Sequence, residues 1–167
     1  VTIVDTDGTI TYASGSAKRK FGYDPDALVG ENLFDYLHPD ERNKAMSAFF
    51  ICTEESQNST AECRLKSSGG EWRNVDVRNH NMIEDTAIGG VIVYLRDVTE
   101  SKTRARRFES IFNQTFQFTA LLNADGEVIE ANDTALEFGG FDRGDIVGAP
   151  FYETRWWTHT ESVSEQV

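Results

Sequence analysis

The stretch Tyr94–Phe112, YLRDVTESKTRARRFESIF, decides how this chain is read. Just before and into it, Val91, Val93 and Leu95 alternate with Ile92, Tyr94 and Arg96, the period of two that marks a strand. From Val98 the period lengthens. Val98, Ser101, Ala105, Phe108 and Phe112 fall three or four apart and draw one thin apolar seam along a helix. Asp97 sits at the change. Its carboxylate suits the free N–H groups of a first helical turn, and Glu100 suits the reciprocal bond back to the cap. The run Asp97–Glu100 therefore predicts a strand joined to a capped helix with little slack between them, so that strain in the sheet reaches the helix.

Working outward, composition bounds the classes available. Asp and Glu number 28 against 16 Lys and Arg in 167 residues, a net charge of −12. Such a surface repels a phosphate backbone, which argues against nucleic acid as a partner. Lys is used only at Lys18, Lys20, Lys44, Lys66 and Lys102, so Arg predominates among the cations. Two readings fit: adaptation to a high-salt cytoplasm, where the screening length falls to about 3 Å at 1 M, or an ordinary acidic protein. Hydrophobic residues at 39% and aromatic residues at 11% suffice for a packed core. No apolar run reaches membrane-spanning length and no signal peptide is evident, so the segment is expected to be soluble and cytoplasmic. Cys52 and Cys63 form no C-x-x-C pair and have no ligand spacing with His38, His80 or His159. Cys63 reads as a buried, reduced thiol.

Ahead of the junction the runs are those of one small α+β module. Val1–Asp5 and Thr9–Ala13 flank the turn Thr6-Asp7-Gly8, which predicts a hairpin. A short helix follows over Ser16–Phe21, and a second is capped by Asp24 with Pro25 in its first position. Leu33, Phe34 and Leu37 mark an apolar turn, and Asp40–Cys52 reads as a longer helix burying Ala45, Met46, Phe49 and Phe50. Strands over Thr60–Lys66, Glu71–Asn79 and Val91–Arg96 complete the set. Two strands, several helices and three more strands predict one closed five-stranded antiparallel sheet with short helices on one face.

Beyond the helix the opening recurs at an offset of 118. Asp7-Gly8 meets Asp125-Gly126, Ala17 meets Ala135, Gly22 meets Gly140, and Val29-Gly30 meets Val147-Gly148. Matching turn and cap residues are what a repeated backbone requires.

These residues carry a family resemblance that covers nearly all of the chain. The D-x-D-G hairpin (Asp5–Gly8), F-G-Y-D-P-D-A-L-V-G (Phe21–Gly30), L-H-P-D (Leu37–Asp40), G-G-E-W-R (Gly69–Arg73) and R-D-V-T-E (Arg96–Glu100) resemble a PAS domain. N-A-D-G (Asn123–Gly126), E-A-N (Glu130–Asn132) and G-D-I-V-G (Gly144–Gly148) resemble the start of another. One departure is Ser14, where the family usually has Asn; Asn132 keeps it. The resemblance implies a sensory module over residues 1–99, a signalling linker helix over 100–115, and the N-terminal part of a second, C-terminally truncated PAS-like repeat over 116–167. It also implies a two-component sensor histidine kinase or related transducer, of a halophilic archaeon on the charge argument, with a homodimer formed along the linker helix and a kinase or transducer domain downstream. No phosphate-binding loop, paired carboxylates or phospho-accepting His setting appears, so the segment is expected to sense and relay without catalysing.

The sheet and helices are expected to enclose an apolar pocket. Its candidate lining is Ile3, Phe34, Leu37, Met46, Phe49, Phe50, Cys63, Val75 and Val93 in the first module, and Asn132, Phe151, Trp156 and Trp157 in the second. Phe151 and the two tryptophans read either as core or as a wall that stacks on a planar ligand. Asp97, Thr99 and Glu100 are the candidate signal junction. The family's covalent-flavin type carries a Cys where this chain has Gly30–Asp35, and its haem type a His on a helix that here has none over residues 40–57. Both cofactors are disfavoured; non-covalent flavin or a small organic ligand stays open, as does a ligand-free interaction module. His38 fits the start of a helix better than a metal or catalytic role. Lys102, Arg104, Arg106 and Arg107 fit a solvated helix face better than an anion site.

The charge yields a first prediction. The melting temperature should climb as KCl rises from about 0.1 M to above about 1 M, where self-repulsion is screened. A flat or falling trend in a thermal melt would remove the high-salt reading.

Overall fold

The computed structural model describes residues 1–54, 58–154 and 156. The chain divides into two compact units, Val1–Thr103 and Arg104–Val167. In the first unit the strands are β1 (Thr2–Val4), β2 (Ile10–Ala13), β3 (Ser59–Lys66), β4 (Trp72–Met82) and β5 (Gly90–Asp97). The helices are α1 (Ser16–Phe21), α2 (Pro25–Leu28), α3 (Pro39–Glu54) and the start of α4 (Thr99–Asn113), with a 3-10 turn over Leu33–Tyr36. All strand pairs are antiparallel, in the order β2-β1-β5-β4-β3. The sheet is open, with β2 and β3 as edges, rather than closed: the five expected runs are all present, but no bond joins the first hairpin to β3.

The chain reversal that places β2 beside β1 is built by Asp5. Its Oδ1 accepts the N–H groups of Asp7 and Thr9 at 3.0 and 2.8 Å. This lets Gly8 take φ +85°, and a Cβ there would overlap the Phe34 ring. Thr2 and Val4 then face the core and Ile3 the opposite side, where it stands across from Tyr12 and Ile92. Val75, Val77, Val91 and Val93 continue the inner face, and Phe34, Leu37, Ala45, Phe49 and Cys52 close over it. Phe34 and Phe49 meet edge to face at 5.3 Å, a favoured aromatic geometry.

Edge strand β3 is held by the start of α3. The His38 N–H donates to the Arg64 carbonyl at 2.9 Å. Glu41 accepts from the Arg64 N–H at 2.5 Å and from its Nε at 2.9 Å. These bonds occupy backbone groups that would otherwise template further strands.

The second unit contains the end of α4, β6 (Ala120–Leu122), β7 (Val128–Ala131), α5 (Asp133–Gly139), α6 (Arg143–Ile146) and a 3-10 turn over Phe151–Glu153. The offset of 118 holds in the backbone: β6, β7 and α6 begin and end 118 residues after β1, β2 and α2. Asn123 repeats the Asp5 loop, its Oδ1 accepting from the Asp125 and Glu127 N–H groups at 3.0 and 2.9 Å. Among the described residues β6 pairs only with β7, whereas β1 pairs with both β2 and β5.

Gly8→Ala should destabilise the first unit by about 1–3 kcal/mol, adding overlap with Phe34 to left-handed strain. Gly30→Ala is the comparison: φ there is +92° and nothing lies within 4 Å of an added Cβ. Denaturant titration should rank Gly8→Ala as the costlier of the two; equal losses would mean that strain alone acts.

Candidate functional site

The junction is a hydrogen-bonded knot. Asp97 ends β5, and its Oδ1 accepts the Thr99 N–H at 2.9 Å. The knot's other anchor is Asn74 on β4. Its carbonyl accepts the Val98 N–H at 2.9 Å, and its own N–H donates to Thr99 Oγ1 at 2.8 Å. Arg73 Nη1 stands 4.0 Å from Asp97 Oδ2. The first turn of α4 is thus tied to β4 as well as to β5. Sequence reading pointed at Asp97, Thr99 and Glu100 but not at Asn74, whose part is played by its main chain and leaves no mark in residue type.

Lys102 departs from the expected solvated face. Its Nζ meets Glu62 Oε2 of β3 at 2.5 Å. The hydrogen bond from Lys102, then its charge, hold the Glu62 carboxyl below the usual range, with Lys44 adding to this. Arg106 and Arg107 are exposed as expected.

The pocket candidates separate into groups. Phe34, Leu37, Phe49 and Cys63 surround a cavity of about 20 Å³, together with Asn79 of β4. A second cavity of about 30 Å³ lies between Ile10, Phe21, Leu28 and Leu95. Each has room for about one water. Val75 and Val93 are buried core residues and Met46 packs at the core margin. Phe50 is 37% exposed with its ring against Phe34 and Phe49, and Ile3 faces the far side of the sheet. The first unit's core is therefore filled by its own side chains.

In the second unit Phe151 and Trp156 do line a space, of about 300 Å³, with Phe118, Thr119, Ala120, Ala135 and Phe138. Trp156 is oriented by its Nε1–H, which donates to the Ala135 carbonyl at 3.0 Å. Trp157 lies outside the described residues. Asn132 is fully buried and caps α5. Its Oδ1 accepts from the Thr119 and Ala135 N–H groups, and its Nδ2 donates to Phe112 O, Thr115 Oγ1 and Gln117 O at 2.8–3.0 Å. It ties the end of α4 to the repeated hairpin and is not a residue that faces open space.

His38 has a structural setting. Its Nδ1 accepts from Arg64 Nη2 at 3.2 Å and from the Asp40 N–H at 3.3 Å, and its ring sits 4.7 Å from that of Trp72. Among the described residues no three His, Cys, Asp or Glu side chains are placed to hold a metal ion. No helix among them is long and apolar enough to cross a membrane.

Residues 1–103 match the family model described as a PAS fold, and residues 117–165 match one described as a PAS domain. The chain belongs to the PAS family. It is 36% identical over 76 residues to hybrid signal transduction histidine kinase D of Dictyostelium discoideum, covering 46% of this chain and 5% of that protein. It is 42% identical over 57 residues to sensor histidine kinase TmoS of Ectopseudomonas mendocina, covering 34% of this chain and 6% of that protein. The aligned part is thus a small fraction of each kinase. Among solved structures, a PAS domain from Colwellia psychrerythraea aligns with a TM-score of 0.53 at 17% identity, covering 59% of this chain and 85% of that one. That likeness is one of fold.

Burial, and then the charge of Glu41, push the Cys63 thiol of this PAS fold from 9.0 up to about 11. The folded state binds that proton more tightly than the unfolded state does. Its stabilising contribution is complete below pH 9 and is lost as pH rises toward 11. Chemical denaturation at pH 8 and at pH 10 should therefore show a smaller alkaline loss in Cys63→Ala than in the native chain.

Asn132→Ala leaves several buried donors and acceptors unpaired. It should cost the second unit about 3 kcal/mol or more, which loss of hydrogen-exchange protection over β6 and β7 would report.

Proposed function

We propose that this chain is the sensing and relay segment of a sensor histidine kinase or a similar transducer. In this reading residues 1–99 form the relaying PAS domain, residues 100–115 the signalling helix, and residues 116–167 part of a second PAS domain. The observation that carries it is the bonding of Thr99 to Asn74: a change in the β4–β5 pairing cannot occur without disturbing the first turn of α4. The relatives named as sensor histidine kinases support the same placement. The segment itself has no catalytic role here, and its place is the cytoplasm of a high-salt cell. Copies pair along α4, where Phe108 and Ile111 are 50% and 69% exposed.

The input to the first domain is a change in packing or a protein partner, because voids of about 20 and 30 Å³ do not admit an organic ligand. A signal acts only if it binds the two sheet geometries unequally. A second reading, a small-molecule sensor, is favoured by the apolar space of about 300 Å³ in the second unit. Native mass spectrometry and an absorbance spectrum of the purified chain decide it: a retained organic molecule or a visible chromophore would support that reading over the ligand-free one.

Thr99→Val keeps side-chain shape and removes the hydroxyl that Asn74 binds. It should cost about 1 kcal/mol in global stability, yet raise amide exchange over the start of α4 well beyond that share. In the parent kinase the same variant should be locked or unresponsive to stimulus. Normal regulation with an unchanged α4 exchange pattern would reduce the junction to a structural joint.

A further inference from the structure

Glu62 on β3 and Asp76 on β4 are direct partners in the antiparallel register. Two carboxylates standing opposite each other repel and weaken the strand pair. Within the sheet Asp76 stands opposite Arg96 of β5 on its other side, whereas Glu62, on the edge strand, draws its counter-charge from the helices. Lys102, in the first turn of α4, places its ammonium 2.5 Å from Glu62 Oε2, while Lys44 of α3 adds a weaker attraction. Lys102 is one helical turn beyond Val98, to whose carbonyl its own N–H donates at 2.9 Å. The charge that pairs with Glu62 therefore belongs to the helix that leaves the sheet.

We infer that Lys102 is a positioning residue of the relay, and that its pair with Glu62 is a salt-sensitive latch between edge strand β3 and α4. Asn74 and Thr99 fix where the helix begins; Lys102 fixes how its first turn lies against the strands. Both side chains are solvent-accessible, Lys102 at 36% and Glu62 at 64%, so dissolved ions reach and screen them. Releasing the latch leaves Glu62 facing Asp76 with only Arg96 of β5, opposite Asp76, as a cross-strand counter-charge, and the β3–β4 pairing feels the departure of the helix. Two salt effects then oppose each other. Salt stabilises the fold as a whole by screening the net charge of −12, and it loosens α4 by screening one attraction. The chain is built so that ionic strength alters the helix's docking without melting the domain. This inference rests on the relay reading for its significance, but its physical content is tested without it.

The test is amide exchange over Glu100–Thr103 in the full chain, at about 0.1 M and about 1 M KCl. At low salt Lys102→Met and Glu62→Gln should each raise exchange about two- to fivefold, the scale of an exposed ion pair. The double variant should add little to either single one. The exchanged pair Glu62→Lys with Lys102→Glu should recover protection. Lys44→Met, which also removes a positive charge beside Glu62, should leave α4 unchanged. At about 1 M KCl the native chain and Lys102→Met should converge, while the melting temperature of both rises. Equal exchange in the native chain and Lys102→Met at low salt would overturn the latch, as would an equal effect of Lys44→Met or failure of the exchanged pair. None of these outcomes depends on the Thr99→Val result, so the latch and the relay fail separately.

Discussion

The main chain of Asn74 is the point on which the first domain turns. Its carbonyl takes the Val98 N–H and its N–H reaches Thr99 Oγ1. One residue of β4 therefore secures both the last peptide of the sheet and the first turn of the helix. An N–H left unpaired in this partly buried position costs free energy comparable to a lost hydrogen bond. The helix cannot swing away and leave the sheet as it was. Asp97 adds the cap that lets α4 begin without a loop. A flexible connection of even a few residues would absorb strain here; these bonds leave none to do so.

Electrostatics then separates two roles that the same ions play. The large acidic excess is spread over the surface and acts on the fold through its sum. The Glu62–Lys102 pair is a single contact and acts on one turn of one helix. Both are screened over the same distance, but with opposite consequences, because one is a repulsion and the other an attraction. By contrast the Glu41–Arg64 contacts bind main chain as well as side chain, at an edge strand, and so hold its register.

Much of this was legible in the residues. Period-two runs, the Asp5–Gly8 turn and the Asp97 cap located the strands of the first domain and its exit helix. Both depend on local spacing, which a sequence displays. The repeat was legible for the same reason: turn and cap residues are set by backbone conformation, and the backbone recurs with its offset intact. The site was harder to read. Phe34, Leu37, Phe49 and Cys63 border one small cavity, yet the space between them depends on how the side chains interlock, and hydrophobic pattern does not encode a void. Ile3 was misplaced because a three-residue strand can be read on either face until its partners are known. Lys102 looked solvated because Glu62, its partner, is 40 residues away. Asn132 carried a signal in E-A-N, but for a cap rather than a wall.

The two halves show what makes a PAS backbone into a PAS core. At the shared offset Tyr152 occupies the place of Phe34, but Tyr152 is 71% exposed and Phe34 only 6%. Phe34 is buried because α3 brings Phe49 and Phe50 against it and β3–β5 extend the inner face. Among the described residues the second unit has no counterpart of α3 or of those strands. Among the described residues its apolar space lacks such a facing layer and is bordered by β6, which pairs there only with β7. Whatever fills that space, a side-chain layer, a strand or a small molecule, must match Phe118, Phe138, Phe151 and Trp156 in apolar surface. A strand would also satisfy the open edge as β5 satisfies β1, whereas a small molecule would leave those backbone groups to water. By that criterion the first domain displays the completed arrangement, and its small voids are the measure of a core closed by α3 and the strands that follow it.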